Sequence, residues 1–331
     1  MKENTTSILR ANLIESSHKL KILVIDKNNK ILFSTKNDSD YIYPRSSIKI
    51  FQAIPFIKSM AVEKLKLNSK QVALACSSHR GEKYHIAELK NWLKKINFKN
   101  NNILKCGIHN PLNIIACEKL LRSNIKVNEL YNNCAGKHLA MISASKIQNY
   151  DIKNYLKFNH PHQIAIRNIF NYFSEKKISR KNYGIDGCSA PQYSFRIKDI
   201  AKMLIKLTYN YNNQSTYSKE VKLLINSILE NPKYIGGTDS LDTRIITVSN
   251  KKIFCKGGAE GVFLFSNIKN GIVGVVKVID GNERVLPSVM YNLFKKLKIM
   301  KVSELNNLKK YYDFNISNHA NIKVGSIQTN L

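Results

Sequence analysis

The stretch Leu20-Lys21-Ile22-Leu23-Val24-Ile25-Asp26, closed by Lys27-Asn28-Asn29 and followed by Lys30-Ile31-Leu32-Phe33-Ser34-Thr35, decides the fold. Two runs rich in aliphatic side chains around a polar turn read as a β-hairpin. A second strand cluster lies near the other end of the chain, where residues 252–256, 261–266 and 271–279 read as strands joined by Gly257-Gly258 and by residues 268–271. The two clusters are expected to pair into one antiparallel sheet.

The chain between them is mainly helical in period. Residues 48–65 read as a helix broken or kinked at Pro55. In residues 86–96, Ile86, Leu89, Trp92, Leu93 and Ile96 fall on one helical face. Residues 110–121, 139–146, 163–175, 197–209 and 219–230 give further helices, and 283–298 adds one after the strands. Residues 71–76 form a short strand-like apolar run, 243–248 a short extended piece, and the polar tail from Asp313 is expected to be irregular. The fold class is therefore α+β, an antiparallel sheet built from N- and C-terminal strands, flanked by helices, with an inserted mainly helical domain. The expected division is a discontinuous sheet domain, residues 1–70 and 235–331, around a helical domain, 71–234. The two are expected to interlock as one unit with the active site between them.

Composition narrows the function. With 331 residues and 43% hydrophobic residues, this is a globular chain with room for a sizeable core. The formal net charge of +30 raises nucleic-acid binding. Yet the excess is mostly lysine scattered among Asn, Ile and Tyr, which share AT-rich codons, and the short basic clusters are not interleaved with aromatics for base stacking. Neither nucleic acid nor membrane is expected as a partner. Residues 1–19 lack an apolar signal core, and no run of roughly 18 apolar residues exists. Six cysteines without a Cys-x-x-Cys pair suggest no disulfide scaffold. A reducing cytoplasm fits.

The chemistry centres on Arg45-Ser46-Ser47-Ile48-Lys49. Ser46 and Lys49 are one helical turn apart, a serine nucleophile beside a lysine that can take its proton when neutral. Ser-x-x-Lys recurs elsewhere in this lysine-rich chain; this one opens a long apolar segment just after Pro44. Ser78, in Ser78-His79-Arg80-Gly81-Glu82, is either a helix cap or a second hydroxyl for the same site. In Lys256-Gly257-Gly258 a lysine sits where two glycines permit close backbone approach. Cys134 and Cys188 stand on separate loops. Two thiolates with Lys137 or His138 could hold a soft divalent ion, or the cysteines could be inert buried thiols.

Taken in order, these segments resemble the Rhizobium-type (type III, class 3) L-asparaginases, a family related in fold to serine β-lactamases and glutaminases. The likeness runs through Ile14-Glu15-Ser16-Ser17-His18, Arg45 to Lys49, Cys76 to Glu82, Cys106-Gly107-Ile108-His109, Asn132 to His138, His160-Pro161, Asp186-Gly187-Cys188-Ser189-Ala190-Pro191, Asp242-Thr243-Arg244 and Lys256 to Gly261. It departs at Ala135, where serine is commoner, and at Gly257-Gly258, where Thr-Gly is frequent. The resemblance implies that Ser46 is the nucleophile, Lys49 its base, and Ser78 with Lys256 a second serine-lysine pair. It implies Cys134, Lys137 and Cys188 as ligands of a supporting Zn2+, with Asp186, Arg45 and His138 contacting substrate. The activity it implies is hydrolysis of L-asparagine by a homodimer. A glutaminase or another serine hydrolase is the enzyme alternative, and a basic nucleic-acid-binding module the non-enzyme one.

Overall fold

A computed structural model of the chain describes residues 4–98 and 102–331; Met1 to Glu3, part of the stretch read for a signal peptide, lie outside them. The chain divides into two compact units. The first comprises the chain up to Ser47, residues 196–208 and residues 244–331; the second comprises 48–195 and 209–243. The division falls at Ser47/Ile48 and not at residue 70, and residues 196–208 go with the first unit.

The first unit carries the sheet. The hairpin strand read from sequence is the second half of a longer strand, β2 (Leu13–Ile25), which pairs with β1 (Thr5–Arg10) along its first half. Its second half pairs with Ile272–Val278, Leu23 opposite Val275 and Leu20 opposite Val278. The eight-stranded antiparallel sheet runs Asn315–Ser317, Lys323–Asn330, β1, β2, Ile272–Val278, Val262–Asn267, Ile253–Gly258, with β3 (Ile31–Ser34) also on β2. Ile22 to Ile25 and Val273, Val275, Val276 and Val278 are all buried. That burial on both faces explains the near-continuous apolar runs of the central strands. Helix Leu286–Lys296 packs on the sheet, Phe294 meeting Phe265 edge-on at 5.0 Å between ring centroids.

Two expectations are corrected here. The tail from Asp313, expected to be irregular, forms the strands Asn315–Ser317 and Lys323–Asn330, the latter pairing with β1, which the sequence reading did not anticipate. The side chains of these strands are largely polar, so only pairing with neighbours reveals them. Residues 243–248 belong to a helix, Leu241–Val248, whose start Ser240 braces by accepting the Thr243 N–H at 3.2 Å.

The second unit is helical: α1 (Lys49–Lys58), α2 (Ala61–Lys64), α3 (Ser69–Ala75), α4 (Lys83–Lys95), α5 (Ile114–Leu121), α6 (Ala135–Ile147) and α7 (Pro161–Ser174), followed by Ser218–Glu230. The run at 71–76 is thus the end of a helix and not a strand. Asn68 caps α3, accepting the Gln71 N–H at 2.9 Å while the Gln71 side chain accepts the Asn68 N–H at 3.1 Å. Pro55 does not break α1, which continues to Lys58 and ends where Met60 takes a left-handed conformation, φ 63°. Every residue of α1 from Lys49 to Ile57 is buried. Phe51 meets Phe173 of α7 at 5.1 Å, and Phe56 meets Trp92 of α4 at 5.5 Å. Each such aromatic contributes about 1.5–3 kcal/mol of burial, so α1 is the axis of this unit. Among the described residues no helix is long and apolar enough to cross a membrane.

Candidate active site

Arg45–Ile48 form a 3-10 turn that runs directly into α1, so Ser46 and Lys49 share one helical run. Ser47 holds the turn: its hydroxyl donates to the Pro44 carbonyl at 2.6 Å, and its N–H to the same oxygen at 3.2 Å. That leaves Ser46, which is partly exposed, as the hydroxyl open to a ligand.

The sheet unit contributes a second group. Strand Ile253–Gly258 ends beside this turn, and a Cβ added at Gly258 would lie 2.5 Å from the Pro44 carbonyl and 3.3 Å from the Ser46 nitrogen. Only glycine permits that approach. Lys256 on the same strand is 3% exposed and donates to the Gly257 carbonyl at 2.7 Å. Arg45 lies 3.9 Å from Glu260.

In the helical unit Lys49 is 1% exposed. Its ammonium donates to the Ser77 carbonyl, contacts Ser78 Oγ at 3.3 Å and Cys134 Sγ at 3.2 Å. Ser78 follows α3, with its backbone N–H fixed on the Ile235 carbonyl at 2.8 Å and its side chain partly exposed. Cys134 precedes α6. It reaches Lys49 because Gly136 lets α6 touch the end of α3: a Cβ there would sit 2.1 Å from the Leu74 carbonyl oxygen. The preceding loop is shaped by Asn132, which accepts the Cys134 N–H at 2.9 Å and donates to the Cys106 carbonyl at 2.8 Å. His109 Nε2 accepts the Asn133 N–H at 2.9 Å.

Lys137, one turn into α6, donates to Cys188 Sγ at 3.1 Å and lies 3.9 Å from Asp186. Cys188 and Asp186 come from the loop between the short strands Tyr183–Ile185 and Pro191–Tyr193. The Cys134 and Cys188 thiols are coupled to one another. The hydrogen bond from Cys134, and after it the Lys137 charge, push Cys188 below the usual thiol range, while the same bond and burial push Cys134 up. Burial works against a charged Lys137, but the Cys188 and Cys134 sulfurs and Asp186 outweigh it and raise its pKa.

Lys49, Ser78, Cys134, Lys137, Cys188 and Asp186 thus form one connected cluster in the helical unit, while Arg45, Ser46 and Lys256 stand in the sheet unit. His138 is buried, and its Nδ1 is 2.6 Å from Tyr155 Oη, which accepts the Lys105 N–H at 2.9 Å. His138 braces the site from behind. Sequence reasoning passed over Tyr155, Asn132 and the Ser77 carbonyl; of these only Asn132, two residues before a cysteine, had a readable turn signal.

The donor set suits a soft divalent ion. Two sulfurs and an amine already converge through contacts that protons mediate, and such an ion would replace those protons. Among the described residues no three His, Cys, Asp or Glu side chains are grouped as a metal-binding set; the nitrogen of this one comes from lysine.

A profile of the L-asparaginase II family matches residues 6–329. No curated protein matches the chain. A solved structure from Bacteroides dorei DSM 17855, described as a beta-lactamase, is 10% identical over 83% of this chain and 93% of that one, with a TM-score of 0.42. A likeness that distant carries neither fold nor activity across.

Proposed function

This chain belongs to the L-asparaginase II family and is an asparaginase-type amidohydrolase, and we propose that it converts L-asparagine and water to L-aspartate and ammonia through Ser46. Ser46 Oγ attacks the side-chain amide carbon while Lys49, in its neutral form, takes the hydroxyl proton. The Ser46 backbone N–H, at the start of the helical run, donates to the developing oxyanion. Collapse breaks the C–N bond, and the proton held by Lys49 passes to the departing nitrogen with Ser78 and Lys256 assisting. Water then attacks the aspartyl ester, giving its proton back through the same lysine and freeing Ser46. Asp186 holds the substrate α-amino group and Arg45 its α-carboxylate.

The observation that carries this reading is Lys49, a lysine 1% exposed, one turn past Ser46 and 3.3 Å from a second serine hydroxyl. Burying a lysine is costly unless it has work or partners. Cys134, Cys188 and Lys137 would hold Zn2+, whose positive charge would support substrate binding. We assign the protein as a cytoplasmic homodimer; light scattering on the purified protein tests the dimer. The main test is ammonia release from asparagine and, in parallel, from glutamine. Ser46→Ala is expected to lose at least roughly 1,000-fold in kcat. A Ser46→Ala enzyme as fast as the wild type removes the nucleophile.

A further inference from the structure

A cavity of about 620 Å³ in the sheet unit is walled by Lys252, Lys269, Lys295, Lys298 and Lys301, with Glu304 the one carboxylate in its lining. The lysines come from separate places. Lys252 precedes strand Ile253–Gly258, and Lys269 sits on the turn between Val262–Asn267 and Ile272–Val278. Lys295 and Lys298 lie at the end of helix Leu286–Lys296, and Lys301 caps helix Val302–Lys309. Their convergence is a property of the fold and not of one basic run in the sequence. It also exceeds the background: five of twelve lining residues are lysine, against 53 Lys and Arg in 331 residues.

Glu304 does not neutralise the group. Its carboxylate is taken by the Lys252 ammonium and by the Lys301 backbone N–H at 2.8 Å. Lys301 also acts on Glu304 through its charge, while among the described residues Lys269, Lys295 and Lys298 have no carboxylate within ion-pair distance. Four exposed lysines, besides Lys252, therefore ring one concavity whose lining holds a single carboxylate. Buried Ile299, Met300 and Leu305 line it as well and reduce screening by water. A cavity of about 650 Å³ beside α4 and α5 has Lys83, Lys90 and Lys119 but also Glu82 and Asp239, so its charges are close to balanced.

We propose that the lysine-walled cavity binds a small polyphosphate anion, either inorganic or the phosphate chain of a nucleotide, through Lys269, Lys295, Lys298 and Lys301. Lysine ammonium groups are compact point charges suited to clustered phosphate oxygens from several directions. The volume lies in the range of about 300–1,000 Å³ typical of small-molecule sites. A single carboxylate or chloride would leave most of the charge uncompensated, whereas a tri- or tetravalent anion matches it. This site is separate from the serine-lysine chemistry, and its test does not depend on that reading.

The experiment is isothermal titration of the full chain with inorganic triphosphate, with ATP, with sulfate and with a short single-stranded oligonucleotide, at matched ionic strength. Saturable one-to-one binding of triphosphate is expected, with sulfate much weaker. Lys295→Ala/Lys298→Ala should weaken it by roughly tenfold or more, as expected for two lost charge-assisted contacts. Lys269→Ala, on an exposed turn outside the core, provides a second variant and should weaken it in the same direction. Lys176→Ala/Lys177→Ala, exposed elsewhere, should leave it unchanged. ATP binding as tightly as triphosphate, with the same loss in the variants, assigns the nucleotide source; triphosphate alone assigns the inorganic one. The proposal is overturned if triphosphate does not bind, if both lysine pairs weaken it equally, or if only a single-stranded oligonucleotide binds and loses affinity in Lys295→Ala/Lys298→Ala. That last result would make the cavity part of a nucleic-acid surface.

Discussion

Replacing Gly136 by alanine adds a single methyl group where α6 touches the end of α3. The new Cβ would lie 2.1 Å from the Leu74 carbonyl oxygen and 2.7 Å from the carbonyl carbon. Ordinary contacts begin near 3.4 Å, so the two helices must separate by more than an ångström. Both opposing atoms are backbone, so no side-chain rotation relieves the clash. Overpacking of this kind costs about 3 kcal/mol, the upper part of its usual range. For a chain of 331 residues that lowers Tm by roughly 4 °C. The same retreat draws Cys134 away from the Lys49 ammonium, now 3.2 Å distant, so kcat for asparagine should fall along with stability. The assay is thermal unfolding by circular dichroism, followed by ammonia release at a temperature where the variant is folded. Gly107→Ala provides the comparison. Gly107 has φ 78° and nothing within 4 Å of an added Cβ, so only conformational strain of about 1 kcal/mol applies. If Gly136→Ala melts within a degree of wild type, the close approach does not hold α6 against α3 and the account of how Cys134 is placed is wrong.

Gly258→Ala should act on the nucleophile, because its Cβ would press on the Pro44 carbonyl at 2.5 Å and reach within 3.3 Å of the Ser46 nitrogen; kcat should drop by roughly 10–100-fold, and unchanged kcat would separate Gly258 from the site. Three buried histidines set an acid limit on stability. Burial pushes His85 down to about 4, His162 down to about 3, and His79 well below its ordinary value. Because the folded state resists protons that the unfolded chain accepts near pH 6.5, their contribution is complete above pH 6.5 and is lost as pH falls from there toward 4. Each should remove about 1.4 kcal/mol per pH unit within that window, so Tm should decline steeply between pH 6.5 and 5, and a flat Tm there would contradict neutral burial. Metal analysis of the purified protein should give close to one zinc per chain, with Cys188→Ala losing it; equal zinc in both would dissociate Cys188 from the metal.

The central sheet was legible because apolar runs such as residues 20–26 and 272–278 are buried on both faces and carry their own signal. The outer strands carry little. Thr5–Arg10 and Lys323–Asn330 are polar or half-exposed, and what makes them strands is their pairing with each other, Thr6 opposite Thr329 and Ile8 opposite Ile327. The run at 71–76 was ambiguous because a short apolar stretch suits a buried strand or a buried helix. The reciprocal cap between Asn68 and Gln71 resolves it, and those two residues were readable. At the site, Ser46 and Lys49 are close in sequence and could be seen together. The contact between Lys49 and Cys134 spans 85 positions and no local pattern encodes it. The depth of His138 was not legible either, because adjacency to Lys137 says nothing about it: along α6 neighbouring residues point in different directions, and the His138 ring meets Tyr155.

The pairing of β2 with Ile272–Val278 also sets a timetable for synthesis. The most apolar part of β2, Leu20 to Ile25, leaves the ribosome roughly 250 residues before its partner, a delay of about 12–50 s at about 5–20 residues per second. During that interval β3 can pair with Leu23 to Ile25 and β1 with the preceding half of the strand, but the edge that later meets Ile272–Val278 is an unpaired aliphatic strand, the kind of segment that invites other chains. Lys19 and Lys21 flank and interrupt that edge. Their charge, with the general lysine excess, repels like chains while the strand waits. The time of greatest risk for this protein is therefore before its last third exists, and a chaperone that shields the nascent hairpin would raise the yield of folded enzyme more than one added after release.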